Sequence, residues 1–335
     1  MAISSKKSLS FLGEFGLIEH IKNNNTKAGP AHNVVLDIGD DCFVFSSLKN
    51  SKYAVTADIL IEDTHFKTKW ATPEQIAKKA VEVNVSDIVS MCGAKPLYLF
   101  ISIGIPKNTE LSYAKRLFAA IKKNCDKYGI HISGGDTVSS EKLTISVTII
   151  GIKAGKLITR SGAETGDIVC VSGNFGDSGA GFDILNSDKK NLTCYEKKLV
   201  KKHLEPEARF DIAKILCGNN IKITSMTDSS DGLFKSVELL TADYNKGAVV
   251  YLDKIPVSDE LVKFAKNDKN KIYRYALNGA EEFELVFTIA PKDKIKLQKL
   301  IPEISYIGYV NKSKGIKYFY NNNETAIKYN GYKHF

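Results

Sequence analysis

The stretch TPEQIAKKAVEVNVSDIVSMCG, residues 72–93, decides the architecture of this 335-residue chain. Thr72 and Pro73 form a typical helix start, an N-cap followed by proline at the first helical position, and Gly93 supplies a stop. We therefore predict a helix from Pro73 to Cys92.

Outward from this helix, short strand-like runs alternate with long amphipathic segments. A second helix is predicted from near Glu110 to Tyr128, with its end at Gly129. The alternation predicts a layered α/β (α+β) architecture. The strand-like runs are Tyr53–Thr56, Leu97–Ile105, Leu143–Ile152, Asp167–Val171 and Glu284–Ile289.

Length and composition predict two domains. The chain is 43% hydrophobic and 25% charged, which is ordinary for a globular protein, and 335 residues exceed a typical single domain. The segment 154–167 is rich in glycine and polar residues between two strand-like runs. We place the boundary there, which gives an N-terminal domain of residues 1–153 and a C-terminal domain of residues 154–335.

Charge and cysteine usage exclude several protein classes. The net charge is +9, but only four of the 47 basic residues are arginine and the lysines are spread along the chain, so we expect no nucleic-acid partner. No apolar run has the length of a membrane helix, so we expect no membrane association. The six cysteines form no CxxC pair, which argues against a zinc site and a disulfide framework. We expect a soluble, cytoplasmic protein.

Acidic residues beside Gly, Ser or Thr recur at five places in the chain. Any one of them has a bland explanation, because Asp and Ser cap helices and bond to their own backbone in turns. Five together favour Mg²⁺, which prefers hard oxygen ligands. The five segments are Ile38-Gly-Asp-Asp41, Val55-Thr-Ala-Asp58, Asn84-Val-Ser-Asp87, Ser133-Gly-Gly-Asp-Thr137 and Thr227-Asp-Ser-Ser-Asp-Gly232.

Magnesium held in this way points to phosphate chemistry, because Mg²⁺ completes its octahedron with water and substrate phosphate oxygens. Phosphoryl transfer is therefore the first hypothesis. The sequence contains no GxxxxGK[ST] loop and no protein-kinase motif set, which disfavours two large kinase classes.

Two further features bear on phosphate binding. The Gly134-Gly135 pair after the strand-like GIHIS could bring backbone close to a phosphate while Asp136 reaches a metal, but an ordinary strand-ending turn explains it equally well. Arg160 lies in the interdomain segment, where its guanidinium could grip a phosphate or pair with a surface acid.

Read together, these motifs resemble the thiamine-monophosphate kinase family, within the superfamily that includes aminoimidazole ribonucleotide synthetase. The resemblance spans nearly the whole chain. The matching segments are GEFGLIEHI (13–21), IGDDC (38–42), VTADILIEDTHF (55–66), AVEVNVSDIVSMCGAKP (80–96), ISGGDT (132–137), TRSGAETGD (159–167), TDSSDGL (227–233), ALNGAEEFEL (276–285) and GYKHF (331–335).

The resemblance implies an aminoimidazole ribonucleotide synthetase-like fold: an N-terminal mixed sheet that dimerises, and a C-terminal α/β domain that closes over ATP. It implies a homodimer that phosphorylates thiamine phosphate with ATP and several Mg²⁺ ions, and it leaves a K⁺ requirement open. The implied Mg²⁺ ligands are Asp41, Thr56, Asp58, Asp87, Asp136, Asp228 and Asp231. The implied ATP contacts are Gly135, Asp136, Arg160 and Ser230, and the implied thiamine-phosphate contacts are His65, Glu281 and Tyr332.

No strong general base is expected, because the nucleophile is a phosphate oxygen that is largely ionised near neutral pH. We expect direct in-line transfer, driven by positioning and charge neutralisation.

The sequence departs from the family pattern at two places. Position 57 is Ala where the family usually carries a hydroxyl residue. The segment usually written GGED reads Gly279-Ala-Glu-Glu282, which would cost free energy if the replaced glycine needed a positive φ.

Two alternatives stay open. The first is a related superfamily enzyme that acts on a purine precursor, on selenide or in hydrogenase maturation. The purine enzyme does not explain GEFGLI or GYKHF. The selenide enzyme would be expected to carry a reactive cysteine or selenocysteine upstream of the GDD turn, but the first cysteine here is Cys42, directly after it. The hydrogenase-maturation relatives end in a cysteine, whereas this sequence ends in Phe335. The second is a catalytically idle binding protein, against which the retained aspartates argue.

Overall fold

The computed structural model describes residues 34–36, 40–46, 52–92, 94–153, 156–241 and 246–327. These residues form two mixed β-sheets, one in each half of the chain, with helices packed against both. This is the layered α/β arrangement that the sequence pattern predicts.

The first sheet has six strands in the order β1-β2-β3-β6-β4-β5. Neighbours pair antiparallel except β4 and β5, which run parallel. Two helices belong to this half, α1 (Pro73–Ser90) and α2 (Leu111–Tyr128). The strands are β1 (Val34–Leu36), β2 (Phe43–Ser46), β3 (Lys52–Ile61), β4 (Lys95–Ile105), β5 (His131–Ser139) and β6 (Thr144–Lys153).

The second sheet has seven strands in the order β13-β12-β9-β11-β7-β10-β8. Only the β9–β12 pair is parallel among these described strands. The strands are β7 (Ile168–Val171), β8 (Ile223–Asp228), β9 (Gly247–Tyr251), β10 (Leu285–Ile289), β11 (Ser305–Asn311), β12 (Gly315–Tyr320) and β13 (Asn323–Glu324).

The described second half also contains seven helices, and 3₁₀ turns at Leu252–Lys254 and Pro291–Asp293 follow β9 and β10. None of the helices in the described part of the chain has the length and apolarity to cross a lipid bilayer. The helices are α3 (Asp177–Asn186), α4 (Cys194–Leu204), α5 (Phe210–Gly218), α6 (Leu233–Thr241), α7 (Asp259–Phe264), α8 (Lys269–Asn278) and α9 (Lys294–Leu300).

Helix α1 lies at the centre of the molecule. The backbone N–H of Gln75 donates to Thr72 Oγ1 and the N–H of Thr72 donates to the Gln75 side chain, so the predicted helix start is a full capping box. Fourteen of the eighteen helical residues are buried, because α1 packs on β3 and β6 of the first sheet and on β8 of the second. One hydrophobic core therefore spans both halves.

The structure confirms the predicted helices and strand-like runs with shifts of one or two residues at most ends, but β3 extends five residues beyond the predicted end at Thr56. Helix α2 ends where Gly129 takes up a left-handed conformation, with φ of 68°. The stop at Gly93 lies outside the described residues.

The segment after GIHIS differs from the expected turn. Strand β5 runs on through Gly134, Gly135 and Asp136 to Ser139. A Cβ on Gly135 would come within 1.7 Å of the carbonyl oxygen of Ile101 on β4, so glycine is required there by close strand packing.

The cysteine expectation also needs correction. Cys92, just after α1, and Cys217, in α5, are joined by a disulfide with a Cα–Cα distance of 5.6 Å. The two residues are 125 positions apart in the sequence, so spacing alone gave no sign of the pair. The bond links the two halves of the chain.

Candidate active site

Three carboxylates from different parts of the chain meet between the two sheets. Asp41 precedes β2, Asp87 lies on α1 and Asp228 ends β8. One oxygen from each lies within 4.8 Å of the others. These are three of the predicted magnesium ligands, and a set of hard oxygens at this spacing fits that ion.

Hydroxyl groups hold the three carboxylates in place. Thr56 Oγ1 donates to Asp87 at 2.5 Å, Ser86 Oγ donates to Asp228 at 2.5 Å, and Ser90 Oγ donates to Asp41 at 3.0 Å. Thr56 was predicted, whereas the two serines were not. Their spacing of one residue before and three after Asp87, on one helix, was the available signal.

Arg160 is the cation of this cluster. Its Nε lies 3.1 Å from Asp41 Oδ1, and its Nη2 contacts the same oxygen. Its backbone N–H donates to Asp40 at 2.9 Å. The predicted alternative of a surface ion pair does not apply, because the Asp41 side chain is fully buried. One guanidinium is nevertheless too little charge for the surrounding carboxylates.

Burial and repulsion between the carboxylates raise the pKa values of several of them. Burial, and then the charge of Asp41, raises the pKa of Asp228 to about 7. Burial also raises the pKa of Asp87, with Asp58 and Asp228 adding to the effect. Burial raises the pKa of Asp58 to about 6. The site therefore favours bound cations or protons over free carboxylates near neutral pH.

A cavity of about 820 Å³ opens beside the cluster. Asp58 and Asp87 form part of its wall, and the predicted contacts His65 and Glu281 form another part. Six predicted site residues thus share this space, namely Asp58, His65, Asp87, Ser230, Asp231 and Glu281. Further lining residues that sequence reasoning missed are Phe182, Asp183, His203, Arg274 and Tyr275.

His65 has a defined tautomer when it is neutral. Its Nδ1 accepts a hydrogen bond of 3.0 Å from the backbone N–H of Ile61. The proton of a neutral imidazole must then be on Nε2. His65 can therefore offer an N–H donor to a ligand in the cavity.

The backbone conformation and contacts of the Gly279-Ala-Glu-Glu282 segment explain why it can differ from the family pattern. The residue with the left-handed backbone is Glu281, with φ of 61°, and Ala280 has no positive φ, so alanine there carries no such penalty. Glu282 accepts hydrogen bonds from the backbone N–H groups of Gly176 and Ser178 at the start of α3, at 2.8 and 2.9 Å. Its longer side chain thus caps a helix.

Asp136 lies apart from the three-carboxylate cluster within this chain. The strand register across β4 and β6 aligns Asp136 with Ile59 of β3, whose side chain is exposed. The neighbouring Asp58 aligns instead with Val147 of β6, whose side chain is buried. Asp136 therefore lies on the opposite sheet face from Asp58, and its strand β5 is about 14 Å, or three strand spacings, from β3. Its assignment, and that of Gly135, stay predictions. Tyr332 lies outside the described residues.

The fold and the site define the class. Residues 39–153 match the family model for the AIR synthase related protein, N-terminal domain, and residues 164–321 match that for its C-terminal domain. The chain is thus a two-domain AIR synthase related protein, which confirms the predicted fold class.

Within that class, the chain belongs to the thiamine-monophosphate kinase family. It is 35% identical, over 98% of its length, to the thiamine-monophosphate kinase of Aquifex aeolicus, 99% of which is covered. It is 30% identical, over 97% of its length, to that of Bacillus subtilis, 100% of which is covered. The resemblance read from the motifs is confirmed.

Solved structures agree. The structure described as "AaThiL complexed with AMPPCP and TMP" has a TM-score of 0.86 and 32% identity, and the match covers 99% of this chain and 100% of that one. A HypE-HypF complex has a TM-score of 0.69 at 19% identity, covering 92% of this chain and 98% of that one. The second likeness shows the shared fold alone.

Proposed function

We propose that this chain transfers the terminal phosphoryl group of ATP to thiamine phosphate, which yields thiamine diphosphate and ADP. The observation that carries the proposal is the cavity whose wall contains Asp58 and Asp87 together with His65 and Glu281. Its volume suits a small organic ligand. Support comes from the relatives named thiamine-monophosphate kinase and from the solved structure with AMPPCP and TMP.

The carboxylates would hold several Mg²⁺ ions. Asp41, Asp87 and Asp228 supply the central set, and Thr56, Asp58, Asp136 and Asp231 are the further proposed ligands. Bound Mg²⁺ supplies charge neutralisation for the phosphates, which would otherwise enter a site of like charge. Arg160, Ser230 and Gly135 are the proposed ATP contacts, and Arg160 would exchange part of its contact with Asp41 for a phosphate oxygen.

The chain's own groups bind and orient the reactants. A phosphate oxygen of thiamine phosphate forms a bond to the γ-phosphorus, the bond to the bridging oxygen breaks, and ADP leaves with that electron pair. No residue needs to remove a proton, because the attacking phosphate is already ionised. The Nε2–H of His65 can donate to the substrate, and the carboxylate of Glu281 presents a negative charge to the cationic thiamine ring. Tyr332 is the third proposed contact.

The test is incubation of the purified protein with ATP, Mg²⁺ and thiamine phosphate, followed by chromatography for thiamine diphosphate. Free thiamine is the control substrate, and parallel reactions with and without K⁺ address the monovalent ion. Product from thiamine phosphate alone is expected. ATP binding without product would favour an idle binding protein or a relative with another substrate.

Magnesium should stabilise the fold more strongly as pH rises. The pKa values of Asp228, about 7, and of Asp40 and Asp58, about 6, exceed those of the unfolded chain. The folded protein therefore binds more protons between about pH 4 and pH 7, and the stability these groups contribute is lost as pH rises through that window. Mg²⁺ replaces those protons, so it binds best above the window.

The measurement is the thermal midpoint with and without Mg²⁺ at about pH 8 and about pH 5.5. We expect an increase of several degrees at the higher pH and a clearly smaller one at the lower. NaCl at equal ionic strength is the control. An equal increase at both values would contradict a carboxylate metal site with these pKa values.

We propose that the protein is a homodimer that pairs through the outer face of its first sheet. Ile59, Tyr98, Phe100 and Val138 lie on that face and are each 40 to 56% exposed. A group of large apolar side chains on one sheet face is typical of a buried interface. In a two-fold symmetric dimer the same surface of each subunit forms the interface, so this one sheet face can pair with its copy.

Phe100→Glu should convert the dimer to a monomer, because it places a charge in the centre of the proposed interface. Sedimentation velocity of both proteins measures this. Phe118→Glu, on the 41% exposed position of α2, is the matched control and should remain dimeric. A monomeric parent protein would contradict the proposal.

We also propose the domain division at residues 153 and 154, and a cytoplasmic location, where ATP is abundant. Four of the six cysteines are free thiols, which supports that location, although the Cys92–Cys217 bond does not.

A further inference from the structure

Lys79 is a buried lysine on α1 that lies behind the wall of the cavity. Its side chain is 3% exposed, and its Nζ lies 2.7 and 2.8 Å from the two carboxylate oxygens of Glu281. The same ammonium donates a hydrogen bond of 2.9 Å to the carbonyl oxygen of His65. The ammonium thus contacts two residues that line the cavity.

These two residues come from different halves of the chain. His65 lies just after β3 of the first sheet, and Glu281 lies between α8 and β10 of the second half. Lys79, on the central helix, contacts both. Lys79 therefore links the two cavity walls at this point.

The backbone conformation of Glu281 is also relevant to this link. Its φ of 61° is unfavourable for a residue with a side chain, and such a conformation persists only where surrounding contacts fix it. The Glu281 N–H donates to the carbonyl oxygen of Ser230 at 2.6 Å. The ion pair with Lys79 fixes the side-chain carboxylate of Glu281.

Lys79 is also the cation that compensates the Glu281 charge. His203 Nδ1 lies 3.4 Å from Glu281, but burial, and then the charge of Lys79, lowers the pKa of His203 to about 4, so it is neutral near pH 7. Burial raises the pKa of Glu281, but the charge of Lys79, its hydrogen bond to the carboxylate and smaller contributions from His203 and His65 together lower that pKa overall. His203 also contacts the hydroxyl of Ser178 at 3.1 Å.

We propose that Lys79 is a positioning residue for the thiamine-phosphate site, which fixes the carboxylate of Glu281 and the backbone of His65 from behind the cavity wall. The inference rests on the proposed function, because it assigns that cavity to thiamine phosphate. Lys79 itself does not need to touch the substrate. Loss of Lys79 should therefore change the KM for thiamine phosphate and not the KM for ATP.

Lys79→Met tests this by steady-state kinetics. We expect the KM for thiamine phosphate to rise about 10- to 100-fold, as for loss of a hydrogen bond to a charged group, with the KM for ATP unchanged within about twofold. Lys78→Met is the matched control, because Lys78 is the next residue on α1 and pairs with the exposed Glu207 at 2.9 Å. It should leave both KM values near those of the parent.

A second comparison covers the case in which Lys79→Met does not fold because Glu281 is left buried and unpaired. The double variant Lys79→Met with Glu281→Gln removes that charge. In the Glu281→Gln background, adding Lys79→Met should raise the KM for thiamine phosphate by less than about threefold, because the two residues act together.

The outcomes separate the two ideas. A parent protein that forms no thiamine diphosphate contradicts the proposed function, and the Lys79 inference is lost with it. An active parent with an unchanged KM in Lys79→Met, or with equal increases for both substrates, overturns the inference alone. The inference is also overturned if Lys79→Met raises the KM for thiamine phosphate by the same factor in the parent protein and in the Glu281→Gln variant.

Discussion

Asp87→Asn is expected to reduce phosphoryl transfer by about 10²- to 10³-fold in kcat while raising the thermal midpoint of the metal-free protein. Asp87 belongs to the three-carboxylate cluster with Asp41 and Asp228, and it also borders the cavity. Removing its charge would remove one of the proposed Mg²⁺ ligands. The same change relieves repulsion that burial makes costly in the empty cluster.

The experiment combines the thiamine diphosphate assay at saturating Mg²⁺ with melting of metal-free protein. Asp126→Asn is the control, because Asp126 is an exposed residue of α2 whose carboxylate pairs with Lys122. It should be nearly silent in both assays. Near-normal turnover in Asp87→Asn would remove this residue from the metal site.

Arg160→Met should have the opposite effect on stability. The Asp41 carboxylate is fully buried and Arg160 is its cation, so the metal-free variant should lose about 3 kcal/mol. Saturating Mg²⁺ should recover much of that loss by supplying positive charge at the same place. The KM for ATP should rise about 10- to 100-fold if the guanidinium also contacts a phosphate.

Urea unfolding with and without Mg²⁺ measures the stability terms, and initial rates measure KM. Arg116→Met is the matched control, because the Arg116 guanidinium forms an exposed pair with Glu74 at 2.7 Å. It should change neither quantity. A stability loss in Arg160→Met that Mg²⁺ leaves untouched would contradict a metal beside Asp41.

Local signals in the sequence predicted the elements well. Thr72 with Pro73, and Gly129, fix the ends of helices through backbone hydrogen bonds that involve only a few neighbouring residues. The aspartates were identifiable because they stand in motifs beside Gly, Ser or Thr. Such signals depend on short segments, which a sequence displays directly.

Contacts between distant segments could not be predicted in this way. The pairs Lys79–Glu281 and Cys92–Cys217 form only when the two halves pack, and a lysine on a helix usually indicates a solvated position. From sequence, the glycines at 134 and 135 fitted both a phosphate loop and a strand-ending turn, whereas the close approach of Gly135 to Ile101 follows only from the register of β5 on β4. Register is a property of the assembled sheet.

Helix α1 has a consequence for recombination between relatives. A chimera that joins the first half of one family member to the second half of another would break a shared set of contacts, and exchange of whole domains would then fail even where each parent is active. The unit that must be inherited together is the helix with its partners in the second half. Those partners are Glu205 with Gln75, Glu207 with Lys78, Ala208 with Glu82, Asp228 with Ser86, and Glu281 with Lys79.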